Sequence, residues 1–410
     1  MTEGGEIHRV AETVARRSYG KLVALLSSRT RDLAAAEDAL SEAFAAALKS
    51  WPATGIPDNP GAWLLVAAKR RIIDAQRAKK REQIASSTVA LLVEELTHIE
   101  MSEIPDHRLA LMFACAHPAI DGNLHAPLML QTVLGFDAAT IASAFLISPA
   151  AMSQRLVRAK ARIRESGIPF RVPERADLKE RLPNVLEAIY AAYAEGWSDP
   201  AGTDAAQREL ASEAIWLGRL VVELLRDESE ALGLLSLMLH CEARLRARRN
   251  RMGDFIPLSE QDTALWDHAM IAEAETLLFR ASALAELGRF QLEAAVQSAY
   301  AVRRISGKVD FAAVAKLYDA LFEITGSAVV AVNRAVAIGE LDGAEQGLAA
   351  LDAANHVSMS QYQPYWSARA HLLARAGRHE LARMAYDHAI GLAIDPAIRS
   401  FLQKRRSSLP

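Results

Sequence analysis

The sequence has few of the features that mark secreted, membrane-spanning or β-sheet proteins. Its 410 residues include only two cysteines, Cys115 and Cys241, which are too few and too far apart for a disulfide framework. It has no run of about 18 uncharged apolar residues and no apolar signal core at the N-terminus. Aromatic residues make up 6%, and β-branched segments bounded by glycine or proline are scarce. We therefore expect a cytoplasmic protein that has no membrane span and no disulfide framework.

Motifs of the common catalytic sites are also absent. The sequence has no glycine-rich phosphate loop, no nucleophile elbow and no pair of carboxylates in a plausible cleft. His240 and Cys241, followed by Glu242, resemble part of a metal site, but such a pair on an apolar helix is more typical of core packing. We expect no catalytic residue, no metal and no cofactor.

The composition favours a helical protein. Hydrophobic residues make up 51% and charged residues 24%, which is an ordinary profile for a globular chain. Alanine and leucine dominate, and both favour helices. Because the length allows two or three domains, the simplest prediction is an all-α protein with several domains.

Residues 135–167 have the pattern of a helix-turn-helix. Asp137 is suited to cap a short first helix from Ala138 to Phe145. Ser148 and Pro149 then supply a capping residue and a proline at the first helical position, which predicts the start of a second helix.

The second helix combines an apolar face with a basic face. Its apolar side chains recur at helical spacing and are Met152, Leu156, Ala159 and Ile163. From Arg155 to Arg164 there are five basic residues and no acid, a pattern that suits both a DNA-binding helix and a merely solvated one. The capped helix that precedes it at the right separation favours the DNA-binding interpretation. Residues near its start are expected to read bases, and later ones to hold phosphates. The base-reading candidates are Ser153, Gln154 and Arg155, and the phosphate-binding candidates are Arg158, Lys160 and Arg162.

Two amphipathic helices are predicted near the N-terminus, at residues 6–28 and from Asp32 to Ser50. In the second, the inward positions are Leu33, Leu40, Phe44 and Ala47. Asp38 and Glu42 lie on the other side, and spacing alone favours a solvated acidic face. Three prolines between Pro52 and Gly61 predict a loop that begins where this helix ends.

A strongly basic helix is predicted next, from Ala62 to Arg81. Seven of the thirteen residues from Lys69 to Arg81 are basic. Trp63 at its head has two interpretations: it stacks on a nucleic-acid base, or it packs in the core and supports the preceding loop. The following residues, 82–106, contain six acids and no lysine or arginine, which indicates a linker that is either a solvated spacer or an occupant of a positive channel.

The ordered series AEDALSEAFAAAL, DNPGAWLLVAAKRRIID, acidic linker and SQRLVRAKARIR resembles an extracytoplasmic-function sigma factor. The resemblance implies that a first module binds core RNA polymerase and melts the minus-ten element of promoter DNA, and that a second reads the upstream minus-thirty-five element. It implies polymerase contacts by Asp38, Glu42 and Phe44, and minus-ten contacts by Asn59, Trp63, Lys69, Arg70 and Arg77. It also implies that the acidic linker threads the RNA exit path.

The resemblance continues past residue 168 into the sigma-factor subgroup that carries a long helical extension with tetratricopeptide-like repeats. The clearest repeat pattern lies between Tyr365 and Leu402, with weaker copies at Ala283–Tyr300 and Asn333–Leu351. Such repeats either bind a protein or peptide partner or serve as a scaffold. Two departures from the family pattern are Thr140, where glutamate is usual, and a single cysteine before His117-Pro118.

These features predict four segments. Residues 1–84 form the polymerase-binding and melting module, 85–106 the acidic linker, 107–168 the helix-turn-helix module, and 169–410 a helical regulatory extension. The predicted function is that of a non-enzymatic alternative sigma factor. The alternatives are a tetratricopeptide-containing regulator that binds an operator without polymerase, and, as a third possibility, an enzyme built on the C-terminal half.

Overall fold

The structure, a computed structural model, describes residues 18–80, 107–145, 147–197, 205–353 and 357–410. Over these ranges it is all-α, as predicted, and the one β interaction recorded there is an isolated bridge between Arg249 and Phe255. The chain forms two compact units. The first comprises Met1–Gly196 with Glu209–Ala214, and the second comprises Trp197–Arg208 with Ile215–Pro410.

The first unit is built from eight helices in the described part of the chain. They are α1 (18–30), α2 (Leu33–Thr54), α3 (Pro60–Lys80), α4 (Arg108–Cys115), α5 (His125–Thr132), α6 (Ala138–Ala144), α7 (Pro149–Glu165) and α8 (Arg175–Trp197, of which Trp197 is grouped with the second unit). The predicted acidic linker at 85–106 lies outside the described residues.

Short polar side chains fix where these helices begin. Asp32 caps α2 by accepting a hydrogen bond from the amide of Ala35 at 3.1 Å. The two predicted caps are confirmed: Asp137 accepts from the amide of Thr140 at 2.8 Å at the start of α6, and Ser148 caps α7. The Thr140 hydroxyl also donates to Asp137 at 3.0 Å, so this residue reinforces the cap. Each cap satisfies amides that have no partner within the helix.

The end of α2 differs from the prediction, because Pro52 lies inside the helix, which continues to Thr54. Proline near a helix end removes only its own hydrogen bond, and the turn closes when the Gly55 amide donates to the carbonyl of Trp51 at 3.0 Å. Gly55 has a φ of 81°, a conformation that glycine adopts readily. Pro60 then begins α3, at a position where its missing N–H costs nothing.

The core of the first unit joins helices from both predicted modules. Gly20 of α1 lies against the end of α5, since a Cβ added to it would fall 2.0 Å from the carbonyl oxygen of Val133. Only a glycine allows this approach. Helix α2 packs against α7 in the same unit. Residues 18–80 and 107–168 therefore share one packed body.

The second unit is a succession of helices that pack on their neighbours. Its described helices are the part of α9 (Ala205–Leu224) outside Glu209–Ala214, α10 (Ser229–Glu242), α11 (His268–Ala283), α12 (Arg289–Ala301), α13 (Arg303–Ser306), α14 (Phe311–Thr325), α15 (Ala328–Leu341), α16 (Ala344–Ala353), α17 (Gln363–Arg375), α18 (His379–Leu392) and α19 (Pro396–Ser407).

Small residues let successive helices of this unit approach closely. A Cβ added to Gly347 of α16 would lie 2.7 Å from the Cα of Gly339 in α15. Helices α17 and α18 pack along each other in the same way, around Ala370, Ala382 and Ala389, which are buried. These contacts agree with paired helices at the positions where the repeats are predicted.

His240 occupies the core position that its helix pattern predicts. It is 2% exposed, and burial, with the charges of Arg244 and Arg304, lowers its pKa to about 3. The unfolded chain takes up a proton at its ordinary pKa of 6.5, whereas the folded chain resists protonation down to that lowered value. This contribution to stability is therefore complete above 6.5 and is lost as the pH falls toward 3.

We expect His240→Leu to reduce the pH dependence of the free energy of unfolding between these two pKa values, because leucine does not titrate. Urea midpoints measured at several pH values on both sides of 6.5 would test this. The matched control is His268→Leu at an exposed position. Its urea midpoint should change with pH as much as that of the wild-type protein. The same pH dependence of stability in all three proteins would contradict the lowered pKa of His240.

Candidate nucleic-acid interface

Helix α7 has the two faces that its sequence predicts. Met152, Leu156, Ala159 and Ile163 are buried, which confirms the apolar stripe. The opposite side is exposed and carries Ser153, Gln154, Arg155, Arg158 and Arg162. The amide oxygen of Gln154 accepts a hydrogen bond from Arg158 at 3.3 Å, so these two side chains are aligned along the helix. Five of the six predicted upstream-element residues are thus available on one surface.

Lys160 is the sixth, and it is engaged within the protein. Its Nζ donates to Oε2 of Glu37 in α2, and the two side chains are only 12% and 9% exposed. Arg164, also in α7, lies 3.5 Å from Asp32 at the start of α2. The predicted phosphate contact of Lys160 therefore requires that this ion pair opens.

The packing of α2 against α7 perturbs the carboxyl group of Glu37. Burial raises its pKa above the ordinary value of 4.5, and Lys160 opposes that effect through its charge and its hydrogen bond. One carboxylate oxygen, Oε1, is buried and has no hydrogen-bond partner in the part of the chain that the structure describes. The folded state therefore holds this proton more tightly than the unfolded chain, and the associated stability falls as the pH rises through the raised pKa.

The head of α3 contains the first of the predicted minus-ten residues. Asn59 accepts a hydrogen bond from the amide of Ala62 at 3.0 Å and so caps the helix. Trp63 is half-buried, and its ring meets the buried ring of Trp51 edge to face, with centroids 5.7 Å apart. This contact agrees with the interpretation that Trp63 supports the preceding loop, while part of its ring remains accessible.

Lys69 and Arg70 differ in their surroundings. Arg70 is exposed. Lys69 is half-buried, and its Nζ has no hydrogen-bond partner among the described residues. Burial together with the charge of Arg29 lowers its pKa to about 8. An anion at this ammonium group would favour the charged form. The side chain of Arg77 lies outside the described residues.

The predicted polymerase-binding residues lie on α2. Asp38 and Glu42 are exposed and Phe44 is half-buried. Glu42 pairs with Arg71 of α3 at 3.3 Å, and because both side chains are more than half exposed, water screens this pair. The predicted acidic face is therefore accessible.

Comparison with known proteins identifies the N-terminal part of this arrangement. Residues 14–82, which include α1 to α3, match the family model of sigma-70 region 2. Residues 181–282 match a family of unknown function, DUF6596. The chain belongs to the sigma-70 family. It is an extracytoplasmic-function-like member that carries a C-terminal extension.

One relative of this sigma-70 family member matches along almost its whole length. It is an uncharacterized protein of Rhizobium meliloti (strain 1021), 34% identical over 415 residues, and the match covers 100% of this chain and 97% of the relative. No solved structure matches the chain.

Sequence reasoning missed the partner of Lys160 in this sigma-70 family member. Glu37 lies four residues after Leu33 and three before Leu40, and both leucines are buried. An acid at such a position shares the apolar face of its helix and needs a cation. That spacing indicated a buried ion pair, but nothing in the sequence identified which lysine would supply it.

A second contact beyond the predicted site joins α8 to α4. Arg181 donates a hydrogen bond to the carbonyl oxygen of Phe113 at 2.9 Å, and its guanidinium group lies 5.6 Å from the centroid of the Phe113 ring. The first helix of the extension, α8, thus contacts α4, which precedes α7 in the chain.

In the described part of the chain, no helix is long and apolar enough to cross a bilayer. In the same part of the chain, no three His, Cys, Asp or Glu residues are grouped as metal ligands. The thiol of Cys115 is buried beside Thr132, and burial raises its pKa to about 12.

We expect Lys160→Met to destabilise the contact between α2 and α7 by about 3 kcal/mol near neutral pH, because Glu37 loses its cation while it remains buried. The loss should shrink in acid, where the carboxyl group takes up a proton instead. Hydrogen exchange of α2 and α7 amides in urea would measure both effects.

Two further variants make the comparison specific. Arg158→Met removes a cation from the exposed face of α7 and should leave exchange unchanged. The double variant Glu37→Leu with Lys160→Met removes both charges and should recover most of the loss. A double variant as unstable as Lys160→Met alone would show that the ion pair is not the cause.

Proposed function

We propose that this protein is an alternative sigma factor, which binds core RNA polymerase and directs transcription from specific promoters. The observation that carries the proposal is the exposed row of Arg155, Arg158 and Arg162 on a capped helix, in a chain that also contains sigma-70 region 2. One module supplies the polymerase contact and the other supplies cations for upstream DNA. The protein itself is not an enzyme, and it acts in the cytoplasm with polymerase.

In this proposal α6 and α7 act as a helix-turn-helix, and the N-terminal part of α7 enters the major groove. Ser153, Gln154 and Arg155 are nearest the helix start, so they read base edges. Arg158 and Arg162 follow along the same exposed face and hold phosphates, which positions the helix without specifying sequence.

Region 2 has two tasks in this proposal. The exposed Asp38 and Glu42 of α2, with Phe44, contact the polymerase. Asn59, Trp63, Lys69, Arg70 and Arg77 contact the minus-ten strand, where an accessible part of the Trp63 ring can stack on a base. A phosphate beside Lys69 would hold its ammonium group in the charged form at neutral pH.

The ion pair between Lys160 and Glu37 gives this sigma factor a closed form. With the pair intact, α7 packs on α2 in a single unit, whereas the resemblance implies that the two modules contact separate promoter elements. We therefore propose that the pair opens when polymerase binds, and that Lys160 then becomes a phosphate contact. The second unit acts as a regulatory domain whose tetratricopeptide-like helices bind a protein or peptide.

Reconstitution with core RNA polymerase tests the proposal directly. The full chain should co-elute with the core enzyme and direct transcription from a defined start on its own promoter. A chain that binds operator DNA but neither co-elutes with polymerase nor starts transcription would instead be a repeat-containing regulator.

We expect Arg155→Ala to weaken binding to promoter DNA by about 1 to 3 kcal/mol and to relax its specificity, because a bidentate base contact is lost. Arg162→Ala should weaken matched and scrambled DNA alike and reduce the salt dependence of binding. Fluorescence anisotropy across a salt series would separate the two effects. If both variants changed matched and scrambled DNA equally, Arg155 would not read a base.

A further inference from the structure

A long connection joins α10 to α11 in the second unit and comprises residues 243–267. Its regular structure consists of single 3₁₀ turns and one isolated bridge, between Arg249 and Phe255. Connections longer than about 12 to 15 residues without helix or strand are uncommon in compact domains and usually have a function. None of the functions proposed above uses this segment.

Residues 254–261 of this connection contact α19, and we call them the strap. Asp254 near its first end binds Lys404 at 3.3 Å, and Glu260 near its last end pairs with Arg405. The four side chains are 36% to 66% exposed, so water screens both pairs. Exposed pairs of this kind contribute little to stability, and another acid can therefore replace either partner at low cost.

Two apolar side chains of the strap lie between these acids. The ring of Phe255 meets the ring of Phe401 in α19 edge to face, with centroids 5.5 Å apart. Leu258 packs on an apolar cluster at the ends of α10 and α12, which includes Trp266. Phe255 and Leu258 are only half-buried. The strap therefore lies on the surface of the second unit and does not belong to its core.

Arg303 of α13 binds the backbone of the strap. Its guanidinium group donates hydrogen bonds to the carbonyl oxygens of Leu258 at 2.9 Å and Ser259 at 2.5 Å, and to that of Gln261. Pro257 and Gln261, on either side of a single 3₁₀ turn, have extended backbone conformations. Because every peptide has carbonyl oxygens, Arg303 can bind a chain of a different sequence in the same way.

We propose that the strap is an internal pseudo-ligand, and that the surface it covers binds a segment of another protein with the same chemistry. Such a segment has two acids six residues apart and, between them, an aromatic and an aliphatic side chain three residues apart, as in the strap. Its acids pair with Lys404 and Arg405, its aromatic ring meets Phe401, and its carbonyl oxygens accept hydrogen bonds from Arg303. A basic segment would meet like charges on α19.

The strap can leave this surface without unfolding the connection around it. Arg249, which precedes the strap, pairs with Asp395 at 2.6 Å, and these two side chains are only 23% and 8% exposed. Gly253 lies between this buried pair and the strap and has a φ of 83°, which glycine adopts readily. A tethered segment has an effective concentration on the order of a millimolar, so the strap competes strongly with a free partner.

A labelled peptide of residues 252–262 tests the surface by fluorescence anisotropy with the full chain. The double variant Asp254→Lys with Glu260→Lys, here called the released chain, places like charges against Lys404 and Arg405 and leaves the α19 surface unchanged. We expect the released chain to bind the peptide at least tenfold more tightly than the wild type, in which the strap occupies the surface. Equal affinity of the two chains, or no saturable binding by the released chain, would overturn the proposal.

The matched control chain is Glu223→Lys with Glu323→Lys, which makes the same change of charge at exposed positions of α9 and α14. It should bind the peptide as weakly as the wild type. A peptide in which both acids are replaced by lysine should bind the released chain at least tenfold more weakly. Tight binding by the control chain, or equal binding of the two peptides, would refute the assigned surface.

Hydrogen exchange of the wild-type chain gives a test that needs no variant. The amide of Ile256 in the strap donates to the carbonyl of Arg248 at 2.8 Å, and the amide of Asp267, outside the strap, donates to the carbonyl of Ala243 at 2.8 Å. Saturating peptide should speed exchange of the Ile256 amide at least threefold and leave that of Asp267 unchanged. Unaltered exchange at Ile256 would show that the peptide does not displace the strap.

The inference names the partner class of the regulatory domain and rests on the proposed function for its effect on transcription. With core RNA polymerase, the released chain should change the transcript yield at least threefold relative to the control chain. Equal yields, with tight peptide binding, would reject the regulatory effect alone. Peptide binding by a chain that starts no transcription would reject the proposed function and leave the binding surface intact.

Discussion

The first unit depends on one buried ion pair, between Glu37 of α2 and Lys160 of α7. Each charge would be costly to bury alone, and each is tolerated because the other is within hydrogen-bond reach. The two residues lie 123 positions apart, so the pair joins the N-terminal module to the module that follows the linker. The apolar stripe of α7 contributes burial, and the ion pair adds a directional contact between α7 and α2.

This arrangement uses α7 in two ways without conflict. Ile163 and the rest of its apolar stripe face the core, Lys160 at the edge binds α2, and Arg155 and Arg158 remain exposed on the other side. Packing against α2 therefore buries most of Lys160, a predicted phosphate contact, and leaves the base-reading candidate Arg155 accessible. The exposed face of α7 is therefore cationic, and under the proposed function it attracts DNA while Lys160 is still paired with Glu37.

Features of the fold that depend on neighbouring residues were predictable from the sequence. Asp137 and Ser148 cap their helices as predicted, and the four apolar positions of α7 are buried, because caps and helical periodicity act within a few residues. The predicted end of α2 is too early, because Pro52 lies in the final turn of the helix, where a proline is tolerated.

Features of the candidate site that depend on distant residues were not predictable in the same way. The sequence pattern of α7 predicts that Lys160 contacts DNA. In the structure Lys160 pairs with Glu37, which belongs to a different module. The two interpretations of Trp63 stayed open because its neighbour Trp51 is brought near only by the packing of α2 on α3. Where a residue has several possible partners, the tertiary structure determines which contact forms.

The bond from Arg181 to the Phe113 carbonyl limits how this architecture can be recombined. The motif pattern places a seam near residue 168, yet α8 is grouped up to Gly196 with the helices before that seam. A chimera joined at the seam would give α4 a foreign neighbour in place of α8. When extensions are exchanged between related chains, α8 is therefore best inherited together with the helices that it contacts.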